Sequence, residues 1–116
     1  LGNLDSNRDW GHAREYIKAM WMMLQKPEPE DYVIATGEVH SVREFCKIAF
    51  SHVGLKYEEF VKVDSRFFRP AEVDLLIGNP EKAQVKLNWS SDISFEDLII
   101  EMVEADLDFF KNPVKI

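Results

Sequence analysis

The sequence predicts a mixed α/β chain of about four helices and two to four short strands. Three observations predict it. Apolar residues recur at helical spacing in four separate segments, and short β-prone runs lie between them. Hydrophobic residues at 46 % and charged residues at 30 % make an ordinary globular mixture rather than a disordered one. A chain of 116 residues buries enough surface for a core without metal or disulfide staples, so residues 1–116 read as one unit.

Taken in order, a helix is expected from about Asp9 to Leu24, with Asp9 as its N-cap and Ala13, Ile17, Met20, Trp21 and Leu24 on its core face. Pro27 and Pro29 stop it, and residues 27–31 read as a linker. Residues 32–36 are a nearly continuous β-prone run, the pattern of a strand covered on both faces, and Gly37 ends it. Ser41 and Glu44 then form a capping box. The helix behind it presents Phe45, Ile48, Ala49 and Val53, and Gly54 is placed for a left-handed cap. Residues 57–60 suggest one helical turn, 61–63 a short strand and 67–70 an extended segment. Asn79-Pro80-Glu81 opens a short helix that ends near Leu87. Ser94 opens the last helix, with Leu98, Ile99, Met102, Val103 and Leu107 on its core face and Pro113 closing it. So few strands make a marginal sheet. The strand–helix unit of residues 31–54 is therefore expected to pack on a sheet that this chain does not contain.

Charge and composition exclude several functions. Lys plus Arg total 14 against 21 Asp plus Glu, a net charge of −7. A nucleic-acid binder needs a basic stripe, and none is present. An anionic small ligand would have to be held by a few placed arginines, because the overall field repels it. The single cysteine, Cys46, excludes an internal disulfide and a thiolate zinc cage, and it fits a reducing compartment. Its bland reading is a small core residue. The interrupted apolar stretches predict neither a membrane span nor a signal peptide. The opening at Leu1, without Met, suggests a piece of a longer protein.

Motif chemistry is mostly absent. The five glycines are too scattered for a nucleotide-binding turn, and no P-loop occurs. His12, His40 and His52 have no zinc-ligand spacing and read as surface or capping residues. Two arginine-centred segments remain. In Asn7-Arg8-Asp9-Trp10-Gly11 a guanidinium stands ahead of a predicted helix start, where backbone N–H groups and the dipole favour an anion. An ordinary ion pair with Asp5 or Asp9 is an equal alternative. In Arg66-Phe67-Phe68-Arg69-Pro70-Ala71-Glu72, Arg69 offers a donor fork and Glu72 two acceptor oxygens. A nucleotide diphosphate and its ribose ask for both, although an Arg–Glu pair is the simpler reading.

These two segments also carry a resemblance. The block from Leu1 to Ala13, the block Tyr32-Val33-Ile34-Ala35-Thr36-Gly37-Glu38-Val39-His40-Ser41-Val42-Arg43-Glu44-Phe45, the block Phe67-Phe68-Arg69-Pro70-Ala71-Glu72-Val73-Asp74 and the stretch Glu101-Met102-Val103-Glu104-Ala105-Asp106 resemble the GDP-mannose 4,6-dehydratase family. That family lies among the extended short-chain dehydrogenase/reductases. The resemblance implies a Rossmann domain for NADP joined to a C-terminal domain for the sugar nucleotide, with this chain matching only the C-terminal third. It implies a lyase that converts GDP-mannose to GDP-4-keto-6-deoxymannose, a step toward GDP-fucose, in a cytoplasmic homo-oligomer. The family's Tyr-x-x-x-Lys is absent: Tyr16, Tyr32 and Tyr57 are followed four residues on by Met20, Thr36 and Val61. No catalytic residue carries over. What carries over is substrate grip, with Arg8 and Arg69 toward the diphosphate, Glu72 toward the ribose, and Asn3 and Arg43 as lesser candidates. A non-catalytic α/β binding module retaining the family's sequence is the alternative reading.

Overall fold

The computed structural model describes residues 1–69 and 77–112. Its elements are β1 (Asn7–Arg8), α1 (Ala13–Leu24), β2 (His40–Ser41), α2 (Val42–His52), α3 (Glu81–Lys86) and α4 (Phe95–Lys111), with 3₁₀ turns at Tyr57–Glu59 and Ser65–Phe67. The mixed α/β class and the four helices agree with the sequence. β1 and β2 pair antiparallel, Asn7 opposite Ser41 and Arg8 opposite His40.

The helix ends follow from capping chemistry. Ser41 accepts the Glu44 N–H and the Glu44 carboxylate reaches back, so α2 starts on the predicted box. Gly54 takes up the left-handed conformation at φ +77° just past its end. Ser94 caps α4 through the Asp97 N–H. α1 departs from expectation: its N-cap is His12, whose Nδ1 accepts the Arg14 N–H at 3.0 Å, not Asp9. Gly11 would fall inside a helix begun at Asp9 and disfavours it there. α3 begins at Glu81 with Pro80 at the cap position, and Asn79 assists by accepting the Glu81 N–H.

Packing forms two small cores. In the first, Ala19 of α1 meets Ala83 of α3, Leu87 and Trp89, with Tyr16, Met22, Met23, Tyr32 and Ile34 around them. The Trp89 indole N–H donates to the Glu15 carbonyl at 3.0 Å and fixes which side of α1 turns inward. The predicted core face of α1 is consequently outside: Ile17 is 65 %, Trp21 62 % and Leu24 80 % exposed. In the second core α2 lies against α4, and Trp10, Phe45, Phe95 and His40 form an aromatic cluster with the His40 ring stacked on Phe95 at 4.0 Å. Cys46 of α2 is buried as a small core residue, and burial pushes its thiol up.

Three predicted strands or extended segments are corrected. Residues 32–36 form no ladder: the Thr36 N–H goes to the Asp9 carboxylate instead of a neighbouring strand. Tyr32 and Ile34 face the first core and Ala35 is buried beside Gly78, while Val33 is exposed. Residues 61–63 are not a strand either, although the Lys62 carbonyl accepts from the Leu1 nitrogen and the next residue, Asp64, donates to the Leu1 carbonyl. Asp64 caps a 3₁₀ turn at Ser65–Phe67, and extended backbone begins only at Phe68. The expected stop at Pro113 lies outside the described residues. No helix of the described residues is long and apolar enough to cross a membrane.

Candidate functional site

The first eight residues form a strip held from both sides. On one side the Leu1 nitrogen donates to the Lys62 carbonyl at 3.0 Å, and the Asp64 N–H donates to the Leu1 carbonyl at 2.7 Å. Gly2 lies directly on the Phe67 backbone. On the other side the first-turn amides of α2, Val42 and Arg43, donate to the carbonyls of Ser6 and Leu4 at 3.1 and 2.8 Å. Helix N-termini leave such N–H groups without intrahelical partners, and the strip satisfies two of them.

Arg8 stands on this strip, half-buried in β1, with its Nη1 donating to the Asn7 carbonyl at 2.8 Å. The sequence placed it ahead of a helix terminus; the structure places it in a strand, four residues before the α1 cap. The two carboxylates flanking it in sequence, Asp5 and Asp9, each hold other groups as well. Asp5 receives the Arg43 Nε at 3.1 Å and Nη2 at 3.4 Å. Asp9 accepts the Thr36 N–H at 3.0 Å, the Thr36 hydroxyl at 2.8 Å and the Gly37 N–H at 3.0 Å.

Asn3 closes a turn by accepting the Asp5 N–H at 3.0 Å, so Asn3, Asp5 and Arg43 form one cluster. The Arg43 Nη1 also donates to the Tyr57 hydroxyl at 3.2 Å, and the Asp5 hydrogen bonds raise its already high pKa further. Arg43 is thus committed to holding the strip. Arg69 is different. It is exposed, two residues beyond Phe67, and makes no hydrogen bond or ion pair with another described residue. The neighbouring Arg66 pairs with Asp64 at 2.7 Å and holds that carboxyl below its ordinary value. Glu72 lies outside the described residues.

The Gly2–Phe67 contact therefore brings the segment leading to Arg69 onto the strip that carries Asn3 and Arg8. Arg8 lies on the strip itself, and Arg69 lies two residues beyond the contact with it. The cleft of about 500 Å³ between α2 and α4 is lined by Glu44, Lys47, His52 and Glu96, and two carboxylates are wrong for a diphosphate. Among the described residues no three His, Cys, Asp or Glu groups are placed to hold a metal ion.

Sequence reasoning missed the Asp9 clamp because an aspartate ahead of an apolar periodic run reads as an N-cap. Gly11, two positions on, was the available signal that the helix starts later.

A model of the GDP-mannose 4,6-dehydratase family matches residues 1–102. The chain belongs to the GDP-mannose 4,6-dehydratase family. GDP-mannose 4,6-dehydratase of Cricetulus griseus is 50 % identical over 131 residues, an alignment that covers 97 % of this chain and 35 % of that protein. GDP-mannose 4,6-dehydratase 2 of Arabidopsis thaliana is 49 % identical over 111 residues, covering 96 % of this chain and 30 % of the relative. The chain thus spans about a third of the length of the curated relatives it matches. Among solved structures, the UDP-glucose 4-epimerase of Bifidobacterium longum in complex with NAD⁺ and UDP aligns with TM-score 0.76 at 21 % identity, over 93 % of this chain and 31 % of that one. RMD of Pseudomonas aeruginosa complexed with NADPH aligns with TM-score 0.73 at 17 % identity, over 91 % and 35 %. At these identities the agreement shows that the family member shares their fold.

Proposed function

We propose that this chain is the part of a GDP-mannose 4,6-dehydratase that grips the substrate's nucleotide. The whole enzyme converts GDP-mannose to GDP-4-keto-6-deoxymannose as a lyase. The observation that carries this reading is the strip: residues 1–8 hold Arg8 in β1 and, through Gly2 on Phe67, seat the segment that ends in Arg69. Two guanidinium forks, one on the strip and one on the segment it contacts, suit a diphosphate, which accepts paired hydrogen bonds. Glu72, three residues past Arg69, is assigned to the ribose hydroxyls. Asn3 and Arg43 support the strip and are secondary candidates for nucleotide contact.

A nicotinamide cofactor needs a strand that turns through glycines into a helix. Among the described residues the sheet is two strands of two residues, and no such turn occurs, so this part of the chain does not fit the group. Cofactor binding, NADP by resemblance, is assigned to the part of the relatives that this chain does not match, as is the proton and hydride chemistry. The exposed stripe of α1 and the exposed Val33 are assigned as the surfaces that meet that part. The complete protein is proposed to act in the cytoplasm as a homo-oligomer, without nucleic-acid or membrane partners.

The test is turnover. The full-length protein with GDP-mannose and NADP should yield a 4-keto product and be inhibited by GDP. The 116-residue chain alone should yield none. A full-length protein that binds GDP but leaves GDP-mannose unchanged would favour the non-catalytic binding module.

A further inference from the structure

We propose that Asp9 is a positioning residue: by clamping the Thr36–Gly37 turn it fixes the place from which Arg8 reaches the substrate's diphosphate. The inference rests on the reading of Arg8 given above.

Both Asp9 oxygens already face donors. Oδ1 accepts the Thr36 N–H and hydroxyl, and Oδ2 accepts the Gly37 N–H, all within 3.0 Å and across 27 or 28 residues of sequence. Hydrogen bonds to an ionised acceptor are the strong kind. The segment that starts in this turn folds back over the same motif: His40 lies opposite Arg8 in the ladder, and the Trp10 indole N–H donates to the His40 carbonyl at 2.8 Å. Arg8 is therefore pinned by its own ladder pair and by the residues immediately after it.

Electrostatics gives the second reason. A carboxylate next to an anion-binding arginine repels the anion and competes for the guanidinium. Here its charge is committed to two backbone N–H groups and a hydroxyl, which makes it tolerable beside a diphosphate. A long arginine side chain grips well only when its backbone is fixed, since a misplacement of about 1 Å can cost two orders of magnitude.

The test uses the full-length enzyme and a double-mutant cycle. In Asp9→Asn the amide nitrogen must face an N–H of the turn, donor against donor. The expected result is a KM for GDP-mannose raised about tenfold with kcat changed less than about twofold. Arg8→Ala should raise KM as well, and the double variant should be no worse than Arg8→Ala alone, because a positioning residue has nothing left to position. Thr36→Val should move KM in the same direction by less, and Thr36→Ser should restore it; this pair serves if Asp9→Asn does not fold. Effects of Asp9→Asn and Arg8→Ala that multiply in the double variant would overturn the proposal, as would an unchanged KM in Asp9→Asn. An unchanged KM in Arg8→Ala would instead remove the parent reading of Arg8, and this inference with it.

Discussion

Gly2 and Phe67 touch so closely that a Cβ on the glycine would fall 2.6 Å from the Phe67 carbonyl oxygen. The obstacle is backbone, so relief requires the segment ahead of Arg69 to move. Overpacking of this kind costs about 1–3 kcal/mol. Gly2→Ala should lower the melting temperature of the full-length protein and weaken GDP binding together. Thermal melts beside calorimetric titration check this. Lower stability with native affinity would show that Arg69 keeps its place without the strip.

The capping box makes a separable prediction about stability. Ser41 accepts the Glu44 N–H at 3.1 Å, and the α2 amides that follow donate to the strip. Ser41→Ala should destabilise by about 1 kcal/mol in chemical denaturation, and Ser41→Asn should recover most of it. A loss in Ser41→Asn equal to that in Ser41→Ala would mean that the cap is not the source.

Acid should loosen the chain through two carboxylates. The His40 hydrogen bond lowers the Glu44 pKa, and the His12 hydrogen bond lowers that of Glu101 on α4. A group depressed in the folded state stabilises above its unfolded value, and that stability is lost as pH falls through the folded one. The melting temperature should therefore begin to fall below about pH 4.3, the unfolded glutamate value. Glu44→Gln and Glu101→Gln should each make this decline shallower while changing little at neutral pH, since both carboxylates are solvent-exposed. An acid limb identical in both variants would exclude these pairs.

The outer stripe of α1 predicts the behaviour of the 116-residue chain by itself. Ile17, Met20, Trp21 and Leu24 are all more than half exposed. A contiguous apolar surface of this kind on a monomer invites association. The isolated chain should self-associate in sedimentation and bind a hydrophobic dye, and Trp21→Lys with Leu24→Lys should reduce both. A monomeric, dye-silent chain with a sharp melt would contradict the assignment of this stripe to a contact.

How far the sequence revealed the fold depends on whether the deciding physics was local. The Ser41–Glu44 box, the Gly54 cap and the Ser94 cap were legible because the partners lie within four residues. The start of α1, the orientation of its apolar face and the fate of residues 32–36 were not. Each was decided by a residue far away in sequence: Asp9 taking the Thr36 N–H, and Trp89 holding Glu15. The amphipathic pattern of α1 was real, but two sides of that helix are apolar and the small core took the other one. At the site, the motifs named Arg8 and Arg69 through residue type and resemblance. That Arg43 is tied to Asp5 and Tyr57, and that Asp9 clamps a turn, required the long-range fold.

The role of Arg69 tests the account most directly. A charge-assisted fork on phosphate contributes about 1.5–3 kcal/mol, and a chain of net charge −7 offers no basic surroundings to compensate. Calorimetric titration of GDP into full-length Arg69→Ala, beside a thermal melt, should show affinity reduced at least about tenfold with the melting temperature unchanged. Arg69→Lys should recover only part, because a point charge cannot supply two parallel hydrogen bonds. Native GDP affinity in Arg69→Ala, with or without a lower melting temperature, would contradict the claim that Arg69 grips the nucleotide.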